Sequence, residues 1–181
     1  MKNVLSVAEK PSVAKELAAI ISKQQADSIK RQGLSPFNPV FEVNQCLFQN
    51  AQAKMVITSV TGHMMELEFE AAYKGWSSCQ PSELFSAPLN KTVKKESENI
   101  EKTLKREARN CNILLLWLDC DLEGENIAFE VIKVCKEANP RIDVYRARFS
   151  ALVERDILRT LKFPDRPNAR MNDAVDARQE I

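Results

Sequence analysis

The apolar positions of this chain fall into short runs that alternate between two kinds of spacing. Val4-Leu5-Ser6-Val7-Ala8 and Ile113-Leu114-Leu115-Leu116-Trp117-Leu118 are too short for ordinary helices and too continuous for half-exposed strands. Both read as strands, and Ile113–Leu118, unbroken by polar residues, as one buried on both faces, as in a parallel sheet. Val40-Phe41-Glu42-Val43, Lys54–Val60 and about Ile142–Tyr145 predict further strands. Helical spacing predicts a helix from Pro11 to about Ser22, with Val13, Leu17, Ala18 and Ile21 on one face. It also predicts a charged helix over Lys91–Arg109 with a narrow stripe of Ile100, Leu104 and Ala108. Further helices are expected over about Glu123–Glu137, Ala151–Leu161 and Asn172–Ile181. Lys23–Pro39 reads as a polar loop, and Glu66–Pro88 as a mixed stretch anchored by Tyr73 and Trp76. Strands alternating with helices imply an α/β fold, a mainly parallel, Rossmann-like sheet with helices on both faces.

Both of these apolar strands deliver acids at their carboxyl ends. Ile113–Leu118 runs into Asp119-Cys120-Asp121-Leu122-Glu123-Gly124-Glu125, four carboxylates within seven residues. In open α/β sheets, ligands bind in the crevice at the carboxyl ends of the strands. Asp119 and Asp121, two apart, project the same way, and Glu123 stands where the next helix opens. Two carboxylates ~4 Å apart repel by about 4 kcal/mol at an effective dielectric of about 20. A hard divalent cation with oxygen ligands relieves that repulsion. The other strand ends in Glu9-Lys10-Pro11-Ser12, where Pro11 suits the first turn of a helix. If the two strands are parallel neighbours, Glu9 joins the acids and Lys10 stands at a helix amino terminus that favours anions. Several acids and a lysine around one metal are equipment for phosphate-ester chemistry.

Composition narrows the setting. The formal net charge of +1 gives no bulk argument for nucleic acid, but its distribution is uneven. Arg141–Arg170 holds eight Lys/Arg against four acids, whereas Asp119–Glu130 holds five acids and no base. An acidic centre beside a basic flank fits a metal site next to a phosphate track. Five cysteines without C-x-x-C spacing argue against a disulfide framework and a zinc site, and imply a reducing compartment. No signal peptide or membrane-spanning run is evident, so an intracellular, soluble protein is expected.

Other readings of the same residues compete. Asp119, Asp121, Glu123, Gly124 and Glu130 fall at positions one, three, five, six and twelve of an EF-hand loop. Against it, position five normally takes Asp or Asn, a helix should lead in, and no second loop pairs with it. A receiver-like binding module built on the same strand-end acids is the other non-catalytic alternative. A D-x-D phosphatase would place its nucleophilic aspartate after an early strand and a hydroxyl residue beyond the second Asp, and neither is found here. His63, the only histidine, closes the Lys54–Val60 strand within Thr61-Gly62-His63 and reads as structural or as a substrate contact. Arg146 and Arg148 read as phosphate contacts or as partners of the acids, and Cys120 as a small buried apolar residue.

With Ala8-Glu9-Lys10-Pro11-Ser12, Asp119–Ile127 and Arg146-Ala147-Arg148-Phe149-Ser150 in place, the chain resembles the amino-terminal part of eukaryotic DNA topoisomerase III, a type IA topoisomerase. Gly33–Asn38 and Trp76–Cys79 favour the alpha over the beta form, and Thr58–His63 and Asp173–Glu180 match as well. The resemblance implies a Toprim domain over 1–163, with 164–181 opening the next domain. It implies Mg2+ held by Glu9, Asp119, Asp121 and Glu123, with Glu9 and Lys10 assisting catalysis. His63, Arg146, Arg148 and Arg178 become candidate DNA contacts. It further implies single-stranded DNA as substrate, a nuclear location, and a RecQ-type helicase and an OB-fold accessory protein as partners, with no membrane association. Family members cleave one DNA strand through a phosphotyrosine, pass the other strand, and reseal. Tyr73 and Tyr145 match no such motif. The chain is therefore expected to be a fragment that is inactive alone.

Overall fold

The structure, a computed structural model, describes residues 1–23, 28–75 and 77–180. Its strands are β1 (Lys2–Ala8), β2 (Ser28–Arg31), β3 (Val40–Phe48), β4 (Ala51–Ser59), β5 (Met65–Phe69), β6 (Leu89–Val93), β7 (Ile113–Trp117) and β8 (Asp143–Arg146). The helices are α1 (Pro11–Ser22), α2 (Glu98–Ala108), α3 (Leu122–Ala138), α4 (Glu154–Lys162) and α5 (Ala169–Glu180). Trp76, read as an anchor of the mixed stretch, and Ile181, read as the end of the last helix, lie outside the described residues, as does 24–27 of the expected loop.

Six strands form one sheet in the order β2-β3-β4-β1-β7-β8. β4, β1, β7 and β8 are mutually parallel, while β2 and β3 run antiparallel at one edge. All five residues of β7 are buried, as a strand covered on both faces must be. Alternate residues feed two cores. Val4, Leu115 and Trp117 pack with Leu17, Ile21, Ile157 and Leu161 of α1 and α4. Leu5, Val7, Leu114 and Leu116 pack with Leu104 and Val131 of α2 and α3. β3 and β4 join through Gln49 and Asn50, both at positive φ, the twist a two-residue hairpin demands.

Two expectations need correction. The polar stretch Lys23–Pro39 contains β2, whose Ile29 is more than half exposed. This edge strand is held by its ladder to β3 and by Arg31, which pairs with Glu42 and Glu107, so no hydrophobic period announces it. The helix expected from Lys91 begins only at Glu98. Leu89–Val93 instead pairs with β5 as a separate two-stranded sheet, and Leu89, Lys91 and Val93 form its partly buried side. Ile100, Leu104 and Ala108 are the buried stripe of α2 as read from the sequence.

Candidate active site at the carboxyl ends of β1 and β7

β1 and β7 pair in parallel, with Ala8 opposite Trp117. That register brings together two loops about 110 residues apart in sequence. The Glu9 amide donates to the Trp117 carbonyl at 3.1 Å, and the Asp119 amide donates to Glu9 Oε2 at 3.2 Å. Glu9 is half-buried, and Asp119, Asp121 and Lys10 are exposed. Lys10 is extended at the N-cap of α1, with Pro11 opening the helix behind it, the conformation a residue before proline prefers.

Asp121 caps α3. Its Oδ1 accepts from the Gly124 amide at 2.6 Å, placing a carboxylate at the positive end of the helix. Gly124 allows the turn to close: a Cβ there would lie 2.1 Å from the Asp119 carbonyl oxygen. Glu123, in the first turn of α3, is held between His63 Nε2 at 3.0 Å and Arg178. The hydrogen bond from His63 keeps the Glu123 carboxyl below its ordinary range; burial opposes it, and Arg178 adds to the lowering.

Arg146 is not a surface contact, contrary to the sequence reading. It is fully buried. Its Nε donates to Glu125 Oε2 at 3.1 Å, Nη1 to the Leu118 and Ala147 carbonyls at 2.8 Å, and Nη2 to the Asp119 carbonyl at 2.6 Å. An internal guanidinium with its donors satisfied this way locks the chain leaving β7. It thereby fixes the backbone that carries Asp119. The second alternative read for Arg146, partner of the acids, describes its bond to Glu125. Arg148 stays at the surface, where it pairs with Asp165 at 3.3 Å and lines a cleft with Phe149, Arg159 and Phe163. Cys120 is exposed, not buried; its sulfur faces the Phe149 carbonyl at 3.6 Å.

Glu9, Asp119, Asp121 and Glu123 thus share one end of the sheet, yet they do not converge. Among the described residues no three His, Cys, Asp or Glu side chains stand close enough to cage an ion. The donor set is nonetheless uniformly hard oxygen, largely exposed, and carried just past the ends of β1 and β7 and on the first turn of α3. That chemistry fits Mg2+ or Mn2+ shared with water and phosphate rather than a closed protein cage. The EF-hand is excluded because residues 122–138 form one continuous helix. Glu130, its twelfth position, is instead buried against the Met64 and Met65 amides.

The polar groups that support this end were legible only in part. Glu125, Asn126 and Glu130 are buried on α3. Asn126 donates to Asn172 and Asp176 of α5, both at 2.9 Å, and Lys91 reaches Asp176 at 3.0 Å. The available signal was polar residues interleaved with the apolar face of α3. Their partners, distant in sequence, left none.

Comparison with known proteins agrees with this fold. The Toprim domain model matches residues 4–152. DNA topoisomerase 3 of Dictyostelium discoideum is 48% identical over 99% of this chain and 22% of its own length. DNA topoisomerase 3-alpha of Arabidopsis thaliana is 49% identical over 98% of this chain and 19% of its own. The human 3-alpha protein is 41% identical over all of this chain and 18% of its own. The chain therefore spans about a fifth of these relatives. Full-length topoisomerase I of Thermotoga maritima superposes with a TM-score of 0.57 over 99% of this chain and 23% of that one, at 19% identity. That match shows a shared fold. Among the described residues, no helix is long and apolar enough to cross a membrane. Toprim domains of topoisomerases are a divalent-metal-binding fold, and by the match over most of its length this chain belongs to the Toprim domain family.

Proposed function

We propose that this chain is the metal-binding part of a type IA DNA topoisomerase of the topoisomerase III kind, acting on single-stranded DNA. The observation that carries the reading is the in-register β1–β7 pairing, which sets Glu9 against Asp119 with Lys10 exposed beside them. Glu9, Asp119, Asp121 and Glu123 would hold Mg2+, which when bound neutralises charge on a phosphodiester. Lys10, fixed by the turn before Pro11, would face the scissile phosphate as a cation whose worth grows as charge develops there. Arg148 and its cleft offer a contact for the flanking backbone.

Neither tyrosine suits the role of nucleophile. Tyr145 lies under Arg166, 4.0 Å from ring to guanidinium, and edge-on to Phe48. Tyr73 sits in a short 3-10 turn after β5. The reading therefore takes its nucleophile from outside these 181 residues. Residues 164–181 open the following domain, and α5 already packs on α3 through Asn126. By family resemblance, the setting is the nucleus, in DNA recombination and repair, with a RecQ-type helicase and an OB-fold protein as partners.

The test uses this chain and a longer protein that contains it, each with Mg2+ and single-stranded DNA. The 181-residue chain should bind weakly and form no covalent adduct. The longer protein should form one, and Lys10→Ala should reduce its cleavage far more than its DNA binding. An adduct at Tyr73 or Tyr145, or equal losses of cleavage and binding in the variant, would contradict the proposal.

A further inference from the structure

His63 does more than close a strand. Gly62 takes φ +83°, a conformation that strains any residue with a Cβ, and the turn brings the His63 ring against α3. There the ring is gripped from both sides. Nδ1 lies 3.1 Å from Glu130 Oε1, and Nε2 lies 3.0 Å from Glu123 Oε2. Glu130 is itself immobilised. Its side chain is 2% exposed, its Oε2 accepts from the Met64 and Met65 amides at 2.8 and 3.3 Å, and Lys91 Nζ stands 3.5 Å from Oε1. The chain Glu130–His63–Glu123 therefore runs from a fixed interior anchor to one of the exposed carboxylates.

The two oxygens of Glu123 are held unequally. Oε2 belongs to His63, which is tied to the interior. Oε1 belongs to Arg178, whose side chain is 62% exposed and extends from the last turn of α5. One oxygen is anchored, and the other faces a cation that is free to leave. A carboxylate held this way has lost most of its rotational freedom before any ion arrives. Groups that orient a metal-binding carboxylate in this manner typically alter metal affinity by about 10–100-fold when removed.

We propose that His63, anchored by Glu130, is a positioning residue for the divalent-cation site: it holds Oε2 of Glu123 and leaves Oε1 for the ion, which takes the place of Arg178. The proposal rests on the assignment of Glu123 to that site. It predicts opposite signs for the two neighbours of Glu123. Removing His63 loosens the carboxylate and weakens binding, whereas removing Arg178 removes a competitor and tightens it.

The experiment titrates the 181-residue chain with Mn2+ and follows free Mn2+ by electron paramagnetic resonance. His63→Ala should weaken binding about tenfold, Arg178→Ala should tighten it, and Asp119→Asn serves as the reference loss. Binding that falls with Asp119→Asn but not with His63→Ala would overturn the role of His63 alone. Binding indifferent to both would overturn the cation assignment as well. A second readout needs no metal. With one histidine in the chain, its ring 15N signals are unambiguous, and both Glu123→Gln and Glu130→Gln should shift them. Glu123→Gln leaves the His63–Glu130 contact in place, so this arm remains readable even if His63→Ala unfolds. Ring signals that do not respond to Glu123→Gln would overturn the proposal.

Discussion

At the scale of single residues, Arg146 controls the geometry of the site without being part of it. Its side chain and that of Glu125 are both fully buried, and the guanidinium holds the carbonyls of Leu118 and Asp119. Glu125 Oε1 also accepts from the Asn168 amide at 2.6 Å, so the pair ties the β7 loop to the start of α5. Breaking a buried ion pair from one side strands the other charge and costs about 3–5 kcal/mol. Arg146→Met should therefore lower unfolding stability by that amount in urea, and the double variant with Glu125→Gln should recover part of the loss. A change within about 0.5 kcal/mol, ordinary for surface positions, would show the pair to be dispensable. The sequence made Arg146 and Arg148 look equivalent because they share a strand face two residues apart. Burial separates them, and no local pattern announces that the partner of Arg146 is twenty-one residues earlier.

At the scale of elements, the legible parts were those whose own side chains make the core. β1, β7, α1 and α3 show continuous or helically spaced apolar residues, and their ends are marked by Pro11 and by the Asp121 cap. β2 and β6 were missed because neither has a fully buried residue; β2 exposes Ile29, β6 half-buries only Leu89 and Val93 among its apolar residues, and each is held largely by ladder hydrogen bonds to a partner strand. β2 is further pinned to α2 by Arg31, whose Nη1 and Nη2 reach Glu107 at 3.0 and 2.5 Å. Burial alone would raise the Glu107 carboxyl, but hydrogen bonds from Arg31 and then Arg106 outweigh it, and the net value falls below the ordinary 4.5. A carboxyl depressed in the folded state adds stability above its unfolded value and loses it as pH falls through the folded one. The melting temperature should therefore drop as pH goes below about 4.5. Glu107→Gln should start lower at neutral pH and show a shallower acid decline. An unchanged acid profile in that variant would remove Glu107 from the acid response.

At the scale of the whole molecule, the sheet delivers acids from two distant loops to the carboxyl end of its central strands, with helices packed on both faces. The pairing of Glu9 with Asp119 followed from reading two buried strands as parallel neighbours. The clamp on Glu123 did not, since His63 and Arg178 lie some sixty and fifty-five residues from Glu123 and meet it only in the fold. The account stands on the strand-end acids acting together on a hard divalent cation. Calorimetric titration of the 181-residue chain with Mg2+ and with Ca2+ tests this most directly. Mg2+ should bind to an open site made of monodentate acids, and Glu9→Gln and Asp121→Asn should each weaken it, although one residue follows β1 and the other β7. Mg2+ binding untouched by either substitution, or Ca2+ bound more tightly than Mg2+, would contradict it.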